Sequence, residues 1–275
     1  MEEDSMERRF SSAYRRLLLT FPHEMAHPLT LGTQYQLGNH RATYKPSTAI
    51  EMIVGGVSLL VSAMLGISGG FSFNFSSPSV MMTLVSGSLG LAFIIHAYRN
   101  SMLRVFVYDY GLVSVGRESL HPISWQNVQA VRHDVRSQST GIPGGGTVFV
   151  HTYTLNCTDG AQLKLDNIYK DLQQLGESIE RETAHHLYPQ ALDAYQMGQD
   201  VVFGSLTVTQ RGLYCGGKLL TWMEMKNIKI YKDGVAIKKQ GKILRWASVE
   251  MADVPNIEVF RMLIQHITGV RPQDV

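Results

Sequence analysis

His23, Glu24 and His27 spell H-E-x-x-H in the stretch HEMAH. In zinc hydrolases two such histidines lie one helical turn apart on the metal, and the glutamate activates water. Here Pro22 precedes the motif and Pro28 follows it directly. Proline biases the residue before it toward extended backbone, which works against a helix that carries both histidines onward. No third ligand is evident, and the first long apolar run begins some 25 residues later. A membrane-bound zinc hydrolase using His23, Glu24 and His27 is therefore a rival reading, separable by a metal assay on the purified protein. The remaining chemistry-bearing residues are sparse. Cys157 and Cys215 lack the neighbours of a catalytic thiol or a metal cluster. His185 and His186 are adjacent on a helical pattern and so point in different directions. The stretch GIPGGGTVF has three consecutive glycines but not the Lys and Ser/Thr of a phosphate loop. The expectation is no catalytic residue, no metal and no cofactor.

Charge offers a second kind of site. Residues 211–245 carry nine basic side chains against Glu224 and Asp233, a local balance of +7, within a chain of net charge +2. Residues 101–197 hold seven basic and ten acidic side chains. Lys218, Lys226, Lys229, Lys238, Lys239 and Lys242 are the expected contacts to an anionic surface. The bland alternative is a solvated strand face. Interleaved surface aromatics of a nucleic-acid site are absent, so nucleic acid is not an expected partner.

These residues must be positioned by something, and the largest feature of the chain is a gap in charge. Residues 52–98 contain no Asp, Glu, Lys or Arg over 47 positions. About a quarter of residues in a soluble domain are charged, so the pattern fits a buried helical pair poorly. The gap holds two apolar runs, 52–67 (extendable to Phe71) and 80–98, each near the 20 residues a helix needs to cross a bilayer. Arg41 and Lys45 precede them and Arg99 and Arg104 follow, whereas residues 68–79 between them carry no charge. Positive residues remain cytoplasmic, which predicts a cell-membrane protein with two spans and both termini in the cytoplasm. Small residues at four-residue spacing, Ser58–Ser62–Gly66, Thr83–Gly87 and Ser86–Gly90, predict close packing of the spans on each other or on copies in an oligomer. Upstream, residues 6–21 pattern as a basic amphipathic helix, and residues 29–45 read as an irregular or partly extended linker.

Beyond Arg99 the period changes to two. GLVSVGRESLHPISW at 111–125 is echoed by GLYCGGKLLTW at 212–222. Both open on Gly-Leu, have a second Gly five residues on and close on Trp. Strand patterns surround each, with hairpins expected at Asp159-Gly160 and at Gly241. Trp125 and Trp222 stand three residues before Val128 and Met225, a spacing that predicts a short helical turn feeding the next strand. Ile168, Leu172, Leu175 and Ile179 predict a helix after the first set, and a second short helix follows Pro189. Val259, Phe260, Leu263 and Ile267 predict one after the second set, starting at Pro255 with Asp253 as cap.

Strands closed by one helix, with GLVSV, HPISWQNVQAV and YTLNCTDGAQLKL in order, resemble pleckstrin-homology-like (PH-like) and GRAM-like domains. Over residues 48–270 the chain resembles an uncharacterised family of bacterial membrane-anchored proteins with tandem domains of this kind. The resemblance implies no catalytic residues. The expected class is α+β: an N-terminal cytoplasmic segment 1–47, a transmembrane helical hairpin 48–99, a first PH-like domain with connecting helices 100–197 and a second 198–275. The expected function is a non-enzymatic interaction or lipid-sensing module whose partners are the lipid bilayer and either anionic headgroups or a protein. The alternative is an accessory subunit of a larger membrane complex, which co-purification in mild detergent would favour.

Overall fold

The computed structural model describes residues 28–68, 78–116, 119–139, 141 and 146–274. HEMAH and the amphipathic pattern at 6–21 lie outside the described residues. The described chain is α+β, with five α-helices and several antiparallel sheets. It divides into two compact units: residues 1–122 with 168–170, and residues 123–167 with 171–275. Of the segments expected as domains, 198–275 falls wholly in the second unit and 100–197 has residues in both.

The first unit contains α1 (Pro28–Gln34), β1 (His40–Tyr44), α2 (Ala49–Ser68), α3 (Pro78–Ser101), β2 (Arg104–Tyr108) and β3 (Gly111–Val115). Of the segment 29–45, expected to be irregular or partly extended, the later part is extended as β1 and the earlier part is helical as α1. β1 pairs antiparallel with β2, Thr43 opposite Phe106, and Leu31 and Leu37 join Phe106, Tyr108, Val113 and Val115 in a core. The polar sequence HRATY is held by main-chain hydrogen bonds to an apolar partner more than sixty residues away, so its own pattern carries little strand signal. Lys45 and Ser47 exchange backbone hydrogen bonds with Lys170 and Ile168.

At 20 and 24 residues, α2 and α3 are long and apolar enough to span a membrane. Their flanks, β1 and β2, are neighbours in one sheet. The helices touch through small residues. A Cβ on Gly55 would stand 2.8 Å from Ile94 Cγ1 and 3.0 Å from the Gly90 carbonyl, and one on Gly90 2.9 Å from the Gly55 carbonyl. Ser62 Oγ donates to the Thr83 carbonyl at 2.8 Å. Large aliphatics point outward, among them Met64 at 72% exposure and Val85 at 63%.

β4 (Leu120–Ser124) completes the order β1-β2-β3-β4, and the border between units falls within it. The second unit continues with a 3-10 turn (Trp125–Asn127), β5 (Val128–Ser139), β6 (Thr147–Cys157), β7 (Gln162–Leu165) and α4 (Leu172–Gln196). Then come β8 (Val201–Phe203), β9 (Leu206–Thr209), β10 (Gly212–Cys215), β11 (Lys218–Thr221), a 3-10 turn (Trp222–Glu224), β12 (Met225–Tyr231), β13 (Gly234–Lys239) and β14 (Arg245–Glu250). A 3-10 turn (Met251–Asp253), α5 (Ile257–Thr268) and β15 (Gln273–Asp274) end it. Its sheets run β5-β6-β7, β11-β10-β9-β8 and β14-β13-β12-β15.

Both tryptophans open a 3-10 turn, as their spacing predicts. Trp125 is fully buried, whereas Trp222 is half-buried and donates Nε1–H to the Gln210 carbonyl at 3.1 Å. The hairpin at Gly160 forms with φ +82°. Three helical expectations shift. The first helix starts at Leu172 rather than Ile168, because residues 168–170 are held in extended pairing. Pro189 does not divide it: α4 continues to Gln196, since proline's φ suits a helix and the lost bond is offset by Leu187, Ala191, Leu192 and Tyr195 packing on the core. Asp253 ends its own 3-10 turn, and α5 begins after Asn256, whose φ of +55° is left-handed. The Asn256 side chain is engaged elsewhere. Its Oδ1 accepts the Val131 N–H at 2.8 Å, its Nδ2 donates to the Gln129 carbonyl, and its own N–H donates to the Val131 carbonyl.

Candidate functional site

The basic residues fall into three places. Lys229 and Lys238 share a face of the β12–β13–β14 sheet with Arg245, because Lys238 is directly opposite both Asn227 and Arg245, and Lys229 is two residues on from Asn227. Arg245 also lies over the Tyr231 ring at 5.2 Å. Lys226, Lys239 and Lys242 gather at the end of this sheet near the β13–β14 turn. There Lys239 Nζ donates to Glu224 Oε1 at 2.6 Å, and this ion pair holds the Glu224 carboxyl below its usual range. Alternation thus sends Lys238 and Lys239 to different neighbours. Lys218 is on the other sheet, beside the Gly216-Gly217 turn.

A second feature was not anticipated. Within the second unit a cavity of about 630 Å³ is lined by β5, β6, α4, β12, the 3-10 turn at Met251, α5 and the C-terminal strand. Strand register sets His133 opposite Tyr153, with His151 two residues before it. The His133 ring stacks on Tyr153 at 4.1 Å between centroids, and its Nε2 is 3.0 Å from His151 Nδ1. Helical spacing brings Gln173, Glu177 and Glu180 of α4 to the same wall. From α5, Arg261 makes two hydrogen bonds to the Asp274 carboxylate at 2.7 and 2.8 Å, and its Nε is 3.2 Å from Glu258.

Glu180 is the odd member. Its side chain is only 15% exposed, and His133 Nδ1 is 4.0 Å from its Oε1. Burial, then the Glu258 and Glu177 charges, push its carboxyl up to about 8, with Arg261 opposing. Burial and then His151 push His133 down to about 4. The distance alone suggests an ion pair, but both shifts favour neutral partners at pH 7, and desolvation of both groups makes the neutral pair the better description. Burial also raises the Tyr153 hydroxyl and the Cys157 and Cys215 thiols, which weakens them as nucleophiles. Among the described residues no group of three His, Cys, Asp or Glu side chains is placed to hold a metal ion. The cavity residues come from seven segments spread over some 140 positions, and no local motif announces them.

The described residues thus define an α+β protein with two helices suited to a membrane and a strand-rich second unit whose residues 211–245 are basic. The chain belongs to a family of unknown function, DUF6585, which it matches over residues 25–273. A search of curated proteins finds no match.

Proposed function

We propose that this chain is a two-span membrane protein that holds two PH-like domains at the cytoplasmic face, where basic side chains read anionic headgroups without catalysing a reaction. The observation that carries the reading is the gathering of Lys226, Lys238, Lys242 and Arg245 at one end of one sheet, in a chain with two long apolar helices. The PH-like assignment is supported by element order: four antiparallel strands, a 3-10 turn opening on Trp, three strands and a helix occur from β1 to α4 and again from β8 to α5. Duplication is supported by Gly111 and Gly212 each opening the third strand of its set. Cytoplasmic termini are supported by Arg41, Lys45, Arg99 and Arg104 and by the uncharged residues 68–79.

Reporter fusions at residues 1, 74 and 275 are expected to place only residue 74 outside the cell. An external C-terminus would overturn the topology and the lipid reading with it.

The headgroup contact predicts a salt-sensitive footprint. In nanodiscs containing phosphatidylserine, amide exchange across residues 226–245 of the full chain should slow relative to phosphatidylcholine discs. Each basic group near an anionic leaflet contributes about 1 kcal/mol, screened beyond about 8 Å at physiological salt. Reversing Lys226, Lys238 and Lys242 to Glu should abolish the difference, as should salt at roughly three times physiological ionic strength. Equal exchange in the two lipids would leave the lysines as a solvated face.

A further inference from the structure

The turn between β13 and β14 ends in two aliphatic side chains that the fold does not use. Ile243 is 95% exposed and Leu244 81% exposed. Neither forms the turn, which is made by Gln240 and by Gly241 at φ +71°, with Lys242 N–H donating to the Lys239 carbonyl. A third exposed apolar residue belongs to the same end of the sheet: Met223, 88% exposed, precedes Glu224, which accepts both Lys239 Nζ and the Gln240 N–H, the latter at 2.7 Å. Single exposed aliphatics are ordinary on protein surfaces. Two in succession at a hairpin tip, where polar turn formers are favoured, are not.

We propose that this tip enters a bilayer, with Ile243 and Leu244 seated among the acyl chains just below the headgroups and Met223 beside them. Lys226, Lys238, Lys242 and Arg245 surround the tip in sequence and register and meet the anionic headgroups above it. Glu224, whose backbone carbonyl accepts the Gln240 N–H at the start of the tip, has its carboxylate paired with Lys239. Charge complementarity selects the occupant: an apolar tip bordered by basic side chains suits an anionic leaflet, in which apolar depth and surface charge add. The inference rests on the membrane reading above and adds a depth to it.

The test uses the full chain in nanodiscs, with Cys157 and Cys215 replaced by Ala and Ile243→Cys carrying an environment-sensitive fluorophore. In phosphatidylserine discs the emission should shift to the blue and be quenched by a nitroxide high on the acyl chain more than by one at the bilayer centre. Ile243→Ser with Leu244→Ser, which keeps every charge and removes no buried contact, should weaken docking of the tip by about tenfold per residue, the scale of transferring one aliphatic side chain from water. Slowed exchange at residues 226–239 without acyl-chain quenching at 243 would overturn insertion while the headgroup contact stands. Neither signal in anionic discs would overturn both. Protection of the tip only on adding a cytoplasmic protein, again unquenched, would overturn insertion in favour of a protein contact.

Discussion

Gly176→Ala is expected to lower the melting temperature of the second unit by about 4–8 °C, although alanine is the better helix former. The ring of Tyr153 lies against the backbone of α4 at Gly176, where an added Cβ would overlap the phenol end of the ring. Tyr153 has nowhere to go. It is 1% exposed, and its other face carries the His133 stack. Alanine in place of glycine within a helix ordinarily gains about 1 kcal/mol. Overpacking a rigid aromatic contact costs about 3 kcal/mol or more, so the steric term wins. At about 2–4 °C per kcal/mol for a unit of this size, the shift is readily seen in thermal unfolding. Trimming the ring in a Gly176→Ala, Tyr153→Val double variant should lose less than the two single losses added, because the clash disappears. A neutral or stabilising Gly176→Ala would mean that the ring does not pack there.

The second large effect is a change in pH dependence. The Glu180 carboxyl is raised to about 8 in the folded protein against an ordinary value near 4.5. The folded chain therefore keeps a proton that the unfolded chain has released, and stability falls as pH rises from about 4.5 through 8. His133 works in the opposite sense. Its folded value is about 4 against 6.5, so it costs stability as pH falls from 6.5 toward 4. The two slopes oppose each other between 4.5 and 6.5, and Glu180 acts without that opposition between 6.5 and 8. Glu180→Gln keeps the shape of the side chain and removes its charge. It should flatten stability between about pH 7 and 9 and leave the variant about 2–4 kcal/mol more stable than the parent at the upper limit. Denaturant midpoints taken at unit steps from about pH 6 to 9 measure this. Parallel curves for parent and variant would show that Glu180 is ionised and solvated at neutral pH.

What the sequence reveals depends on whether the cause is local. The two apolar helices are legible because 47 successive residues without a charge are rare outside a bilayer span. The 3-10 turns at Trp125 and Trp222 are legible because an aromatic anchor and the aliphatics after it keep a fixed spacing. β1 is not legible, since its stability is borrowed from β2 across the helical hairpin. Nor is the continuity of α4 past Pro189, which is decided by what Leu187 to Tyr195 pack against. The lysines can be counted from sequence, but only register separates Lys238, beside Arg245, from Lys239, tied to Glu224. The Glu180 cavity needs α4, β5 and α5 to converge, and none of its residues is unusual in its own segment.

The hydrogen bonds of Asn256 have a bearing on solubility. β5 is an outer strand of the β5-β6-β7 sheet, and its unpaired main-chain groups could template addition of another chain. Its apolar start, Val128 to Val131, is where such pairing would be stickiest, and there the Asn256 amide and backbone occupy the Gln129 and Val131 positions as an extra strand would. The remainder, with Arg132, Asp134 and Arg136, is charged and repels a second copy of itself. A chain cut before β8 would keep β5 and lose its cover, which makes the later half of the second unit a guard against aggregation of the earlier half.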